Sequence, residues 1–356
     1  MTADSRAEQK PVLAALPRIT GQLNRIFTIL LLGVLAVWLL VNFVKAPDQF
    51  LSVTLVGITQ GAIYALVALG YTLVYGIIEL INFAHGDVFM WGTMITVTVA
   101  GTHLGLDGSQ SGLVTAGGLL LTLFVAMVFC GALNTGIEFV AYRRLRNAPR
   151  LAPLISAIGV SFILSGVASA QFYGFNYTGV GDIMPTQTLF DLGGVPYRLK
   201  SLLVVAITIP VLLALVWWVR NTRQGKAMRA VAQDTEASRM MGIDVNRTIS
   251  ITFAVAGALA GAAGVLYVTY YTQTRFDLGF QLGLFAFTAA VLGGIGNLTG
   301  AALGALCIGL ITAYNDGLSW HAPGSDWTQS IVFTILILIL VFRPEGLLGE
   351  PEADRA

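Results

Sequence analysis

Apolar runs of roughly twenty residues recur along almost the whole of this chain, and each is long enough for one helix to cross a hydrocarbon core. Inside such a core there is no water to bond free backbone N–H and C=O groups, so only helices and closed barrels can span it. Candidate spans lie at 26–44, 51–78, 88–101, 113–137, 153–173, 200–219, 248–271 and 327–342. The apolar region 283–316 is interrupted by GGIGN at 293–297 and is expected to form two shorter helical pieces. The fold class expected is all-α, a polytopic transmembrane helical bundle with about eight full spans plus a broken helix pair. Composition agrees: 56% of residues are hydrophobic and 11% charged, mean hydropathy is +0.77, and a soluble domain carries charge on about a quarter of its residues.

No polar segment is long enough to form a separate globule, so a single membrane domain is expected over 26–349. An extension at 1–25 precedes it and a tail at 350–356 follows. The first span is expected to stay as an anchor, because VNFVKAPD after it offers no small-x-small cleavage site. Lys and Arg concentrate on the cytoplasmic side of short loops. With the N-terminus inside, 16 of the 20 basic residues fall on that side, and Lys45, Arg198, Lys200 and Arg275 fall outside. Both termini are therefore expected to be cytoplasmic. A net charge of +1 gives no electrostatic reason to bind nucleic acid. Cys130 and Cys307, far apart within apolar runs, read as small buried hydrophobes rather than a disulfide.

Forty glycines suggest how the helices associate. In lipid there is no hydrophobic force between helices, and small residues let backbones approach closely. GITQG at 57–61, GALAG at 257–261, and Gly296, Gly300 and Gly304 supply such registers. On the second span Thr54, Gly57, Gly61, Tyr64, Ala68, Tyr71 and Tyr75 recur at steps of three and four and share one face. That face suits either a tight helix interface or the wall of a substrate path.

INFAHGDVFMWG at 81–92 places Asn82, His85 and Asp87 close together in an apolar setting. A metal site would need three or four ligands, and the chain has only three histidines, His85, His103 and His321. No nucleophile motif accompanies His85, so hydrolysis is not supported. The stretch fits a polar elbow at the cytoplasmic end of the second span. Gly86 would tolerate left-handed backbone, and Asp87 would sit in the first turn of the next helix, at the positive end of its dipole. The elbow is either a capped loop or a gate beside the permeation route.

The connector 221–247 is the other informative segment, with residues 225–241 expected as one helix and Gly242 as its C-terminal cap. Met228, Val231, Thr235, Ser238 and Met241 would share one face, and Arg229, Gln233, Glu236 and Arg239 another. With Asp234 and Glu236 poorly placed against anionic lipid, a docking element for a cytoplasmic partner is expected in preference to a helix lying on headgroups.

GAIYALVALGYTLVYGIIELINFAHGDVFMWG, AYRRLRNAPRLAPLISAIGVSFIL, RQGKAMRAVAQDTEASRMMGIDVNRTI and AFTAAVLGGIGNLTGAALGALCIGLI followed by RPEGLLG together resemble the LivH-like permeases of bacterial branched-chain amino acid ABC transporters. The likeness covers roughly 51–349 and is weaker before it. It implies an inner-membrane complex of two related permeases, two cytoplasmic ATPase subunits and a periplasmic or lipid-anchored substrate-binding protein. It also implies that Gly225, Arg229, Ala230, Asp234, Glu236, Ala237 and Gly242 belong to the loop that couples to the ATPase. The chain itself lacks a GxxxxGK[ST] phosphate loop, so it is not expected to be an enzyme and no cofactor is implied. Candidates for the translocation path or its gate are Thr54, Gly61, Tyr64, Tyr71, Asn82, His85, Gly86, Asp87, Gly294, Gly296 and Asn297. The same mechanism with urea, short-chain amides or other amino acids as cargo is the alternative. An ion-coupled secondary transporter is a weaker one, because Glu79, Asp87 and Glu138 fall near helix ends rather than at mid-membrane.

Overall fold

The computed structural model describes residues 33–349, apart from 147, 150, 172–175, 185–186, 193 and 344. The expected extension at 1–25, the start of the first span and the tail at 350–356 lie outside the described residues. Helices dominate: α1 (Gly33–Lys45), then α2 (Pro47–Ile78), α3 (Ala84–Thr96), α4 (Gly112–Ile137), α5 (Leu151–Gln171), α6 (Leu199–Asn221), α7 (Arg223–Gln233), α8 (Thr235–Met240), α9 (Val245–Tyr271), α10 (Leu278–Gly293), α11 (Leu298–Gly317) and α12 (Ser325–Phe342). Four short strands, β1 (Thr178–Gly179), β2 (Thr188–Leu192), β3 (Val195–Arg198) and β4 (Gln273–Thr274), form two antiparallel pairs, β1 with β4 and β2 with β3. None of these strands was anticipated from the sequence.

Among the described residues seven helices are long and apolar enough to cross a membrane: α2, α4 with its continuation to Leu145, α5, α6, α9, α11 and α12. The protein is thus an all-α, multi-pass membrane protein, and two expected spans differ in detail. The span expected at 88–101 is a 13-residue α-helix, Ala84–Thr96, prolonged by a π-helical stretch, Val97–His103. The broken pair expected over 283–316 is a hairpin of unequal arms, a 16-residue α10 and a 20-residue α11, of which α11 is long enough to span alone.

The bundle is organised around α2. Of its apolar window 83% is buried, and 72% of that of α9, against 11–28% for α4, α5, α6 and α12. Small residues explain this arrangement. A Cβ on Gly61 would sit 2.8 Å from the Cα of Leu306 on α11, so the α2 glycine face is a tight helix interface there. Gly257 and Gly261 of α9 likewise lie against Cys130 and Ala126 of α4. The third register holds only in part: Gly300 and Gly304 pack against Gly293 and Ala289 of α10, whereas Gly296 lies in the preceding loop with φ of +94°. The peripheral helices turn Leu113, Phe124, Ile155, Phe162, Leu213 and Trp217 outward, the surface a hydrocarbon solvent requires.

Charge separates the two ends. At one, Arg146 and Arg239 border one cleft and Arg220 and Arg229 another. At the opposite end stand the four basic residues set apart by the sequence pattern. Lys45 lies over the Trp320 ring, Lys200 pairs with Asp182, Arg275 pairs with Asp277, and Arg198 closes β3.

Candidate functional site

At the basic end α2 stops because Glu79 turns left-handed, with φ of 52°, and its N–H bonds the Tyr75 carbonyl. Five residues later α3 begins, with Asp87 in its first turn as expected. The elbow is deeply buried: Asn82 is 1% exposed, and His85 and Asp87 are wholly covered.

Each polar side chain there faces a different neighbour. Asn82 Oδ1 accepts from the Tyr142 hydroxyl at 2.8 Å, and Asn82 Nδ2 lies 3.5 Å from Asn134 Oδ1. Asn134 in turn donates to the Phe253 carbonyl of α9 at 2.7 Å. The Asp87 carboxylate accepts from the hydroxyls of Ser161 and Ser165 on α5, the latter at 2.9 Å. His85 packs edge-on against Tyr71 with ring centroids 4.8 Å apart, its Nε2 edge beside Gly70. The elbow thus joins α3 to α2, α4, α5 and α9 through side chains of different chemistry.

Gly86 does something other than expected. It is helical, and the left-handed residue of the elbow is Glu79. Gly86 is needed for close approach: a Cβ there would run into the Gly279 carbonyl oxygen and stand 2.8 Å from the Cα of Gly283, both on α10.

Beside the elbow, the π-helical turn Glu138–Tyr142 buries Glu138 completely. Its carboxylate pairs with Arg146 and accepts from Ser250 at 2.7 Å, while Arg146 donates to Asn246 at 2.8 Å. Burial holds the Arg146 guanidinium below its ordinary pKa, and the Glu138 carboxylate opposes the shift. Sequence reading missed Ser161, Ser165, Asn134, Tyr142 and this ion pair. The signal available was Ser161 and Ser165 spaced four apart on an otherwise apolar helix, a pair of donors in search of an acceptor.

The remaining path candidates are dispersed. Thr54 bonds the Tyr314 hydroxyl at 3.0 Å toward the end opposite the elbow. Tyr64 meets Phe285 and Tyr71 meets Phe287, both on α10. Gly294 and Gly296 turn the α10–α11 loop with φ of +105° and +94°. Asn297 caps α11 by accepting from Gly300 N at 3.1 Å and donates to the Leu348 carbonyl at 2.8 Å. Residues 345–349 fold back on this loop, with Leu347 N on Leu292 O and Leu348 N on Gly293 O.

The connector 221–247 forms two helices where one was expected. Thr222 caps α7, and the chain breaks at Asp234, whose carboxylate accepts from Glu236 N at 2.8 Å and Ala237 N at 2.9 Å and so starts α8. Glu236 therefore stands in the first turn of a short helix, not mid-helix. The break also divides the expected apolar face: Met228, Val231 and Ser238 are buried, whereas Thr235 is exposed and Met241 is 82% exposed beside Met240 at 83%. Gly242 ends α8 with φ of +81°, as expected for a C-terminal cap. Gly225 is buried, Ala230 and Ala237 half-buried, Arg229 and Glu236 exposed. Arg229 donates to the carbonyls of Val219 and Arg220, tying α7 to the end of α6.

Two cavities flank this connector. One of about 500 Å³ lies between α2, the end of α6, α7 and the α10–α11 loop. The other, about 540 Å³, is bordered by Glu79, Arg146, Asp234, Glu236 and Arg239. At the opposite end a groove of about 940 Å³ runs between the π-helical stretch and β1. Among the described residues no group of three or more His, Cys, Asp and Glu is placed to hold a metal ion.

A family profile described as branched-chain amino acid transport system, permease component, matches residues 53–341. Among similar proteins, the high-affinity branched-chain amino acid transport system permease protein BraD of Pseudomonas aeruginosa is 39% identical over 304 residues, 84% of this chain and 95% of that protein. The corresponding permease protein LivH of Salmonella typhimurium is 36% identical over 302 residues, with the same coverage of 84% and 95%. The autoinducer 2 import system permease protein LsrD of Escherichia coli is 29% identical over 248 residues, 67% of this chain and 70% of that protein. No solved structure matches the chain.

Proposed function

The chain belongs to the family of branched-chain amino acid transport permease components; it is the permease subunit of an ABC importer, and we propose that its cargo is branched-chain amino acids, carried inward across the inner membrane. Its partners in this reading are a second related permease, two cytoplasmic ATPase subunits and a periplasmic or lipid-anchored binding protein. The basic end faces the cytoplasm. With α1, α3 and α10 counted beside the seven long helices, the chain crosses ten times and both termini lie on that side.

The observation that carries this reading is the connector. Helices α7 and α8 stand exposed at the basic end, presenting Arg229, Asp234, Glu236, Met240 and Met241. Their roots are fixed: Thr222 and Arg229 hold α7 to α6, and Asp244 caps α9 by accepting from Arg247 N at 3.0 Å. A push from ATPase closure on the segment Gly225–Gly242, including Ala230 and Ala237, therefore reaches α6 and α9 as a rigid displacement. Helix α9 carries it to α4 and α3. The elbow residues Asn82, His85, Gly86 and Asp87 and the loop Gly294, Gly296 and Asn297 convert it into opening or closing beside α2, whose Thr54, Gly61, Tyr64 and Tyr71 face the moving helices.

The test is ATP-driven uptake into proteoliposomes containing the full complex with its binding protein, comparing leucine, isoleucine and valine with urea, short-chain amides and other amino acids. Saturable uptake of the branched-chain set is expected. Preference for urea or an amide would keep the mechanism and overturn the cargo. Uptake driven by an ion gradient without ATP would overturn the mechanism.

A further inference from the structure

Helices α3 and α10 both begin about halfway across the membrane. The Asp87 carboxylate, in the first turn of α3, accepts from the hydroxyl of Ser161, the central residue of the 21-residue α5. The neighbouring Val88 carbonyl accepts from Cys130 Sγ at 3.4 Å, and Cys130 stands near the middle of the Gly112–Leu145 span. Two spans thus set Asp87 at mid-depth, where its place at a helix start had suggested the membrane edge. The elbow climbs to it from the basic end.

The first turns of α10 meet it there. A Cβ on Gly279 would stand 2.8 Å from the Cα of Asp87, and one on Gly283 would stand 2.8 Å from the Cα of Gly86 and 3.1 Å from the Tyr71 hydroxyl. From that level α10 runs 16 residues to Gly293, a length of about 24 Å. Gln281 lies midway between the two glycines in sequence and therefore on the opposite side of the helix. That side is bare: Gln281 is exposed, Phe280 beside it is 55% exposed, and no hydrogen bond ties the Gln281 amide to another described residue. Exposed amides on other spans, such as Gln171 and Asn221, are the last residues of their helices, where water is at hand. At the depth of Gln281 hydrocarbon offers an amide no partner, and leaving it unpaired there is costly.

Resting on the proposed pairing of two related permeases, we propose that the Gln281 face of α10 is the surface on which the second permease packs. A side-chain amide carries donors and an acceptor together, so it is self-complementary. In a pair related by a two-fold axis the same patch of each subunit meets its counterpart, and the two amides satisfy each other, as polar side chains do between helices in lipid. The peripheral helices α5 and α6 instead expose Phe162, Ile163, Leu213 and Trp217, side chains that lipid covers without loss. Because the other side of α10 is pressed against Gly86 and the Tyr71 hydroxyl, a shift between the permeases reaches the elbow directly.

The experiment places p-benzoylphenylalanine at position 280, in place of Phe280, in the full complex of permeases and ATPases in nanodiscs, and irradiates it. A covalent adduct between the two permeases is expected, and lipid adducts alone from the same probe in place of Phe162 or Leu213. Gln281→Leu gives an independent reading. At a subunit contact it should weaken permease pairing about threefold to tenfold, the effect of losing an interhelical hydrogen bond, measured by diluting the complex in detergent; on a lipid-facing surface a leucine would leave pairing unchanged. Both positions are exposed, so neither replacement disturbs the bundle. Lipid adducts alone from position 280, a permease adduct from position 162 or 213 in its place, or unaltered pairing in Gln281→Leu would overturn the surface. The stoichiometry of the wild-type complex separates the two readings. Two permeases per complex without the adduct removes only this inference, whereas one permease per complex removes the pairing on which it rests.

Discussion

Two polar segments at the basic end are built in opposite ways. Residues 82–87 are almost completely buried, each polar side chain facing a different helix, and Gly86 sits in backbone contact with α10. Residues 223–242 carry more charge, yet their caps come from within the connector itself, Thr222 and Asp234, and α8 is largely exposed. The first segment belongs to the packing of the bundle; the second is a rigid projection attached to it. Polarity alone therefore says little about role. What matters is whether the polar side chains are enclosed by the rest of the fold or left facing outward for a partner.

This contrast is tested most severely by Gly86→Val. Because a Cβ there meets the backbone of Gly279 and Gly283, the α3–α10 contact cannot form, at a cost of about 3 kcal/mol or more. The variant should fail to give a monodisperse complex in gel filtration; purification with wild-type thermal stability would show that this contact is adjustable, and the elbow would then resemble the connector. Asp87→Ala should have the next effect. It leaves the Ser161 and Ser165 hydroxyls buried without their acceptor and should cost about 1–3 kcal/mol, read as a lowered Tm of the detergent-solubilised complex.

Glu236→Lys should leave Tm nearly unchanged, within about 0.5 kcal/mol for an exposed position. It should instead release the ATPase subunits in a pull-down or uncouple ATP hydrolysis from uptake, since an interface charge left unpaired costs roughly 2–5 kcal/mol. Intact, ATP-coupled uptake in that variant would show that α8 is not the docking element. The smallest effect is expected for Met240→Ser, a single exposed apolar side chain at the tip. ATPase affinity should fall about fivefold, corresponding to about 1 kcal/mol, with no change in Tm.

How much of this was legible beforehand depended on the range of the interaction responsible. Helix existence and charge segregation follow from local composition. The cap at Gly242 and the acidic first turn of α3 at Asp87 follow from rules that act over four residues. The break at Asp234 was missed because an Asp inside a helix-favouring stretch can either continue the helix or cap the next one, and the choice depends on how α7 and α9 are anchored. The unequal arms of the α10–α11 hairpin were missed because Leu347 and Leu348, some fifty residues further on, bond the carbonyls at the end of α10.

The sequence by itself determined that this chain is a multi-pass helical membrane protein, because the run length needed to cross a bilayer and the depletion of charge are properties of consecutive residues. Its blocks of motifs likewise carried the family. Only the tertiary structure decided which glycines are contacts, that Gly86 serves close approach and not backbone handedness, and that Asp87 is held by two serines of α5. It also set Gln281 at mid-depth on the bare side of α10. These depend on which helices become neighbours, and in lipid that choice is made by shape and hydrogen bonding between segments far apart in the chain.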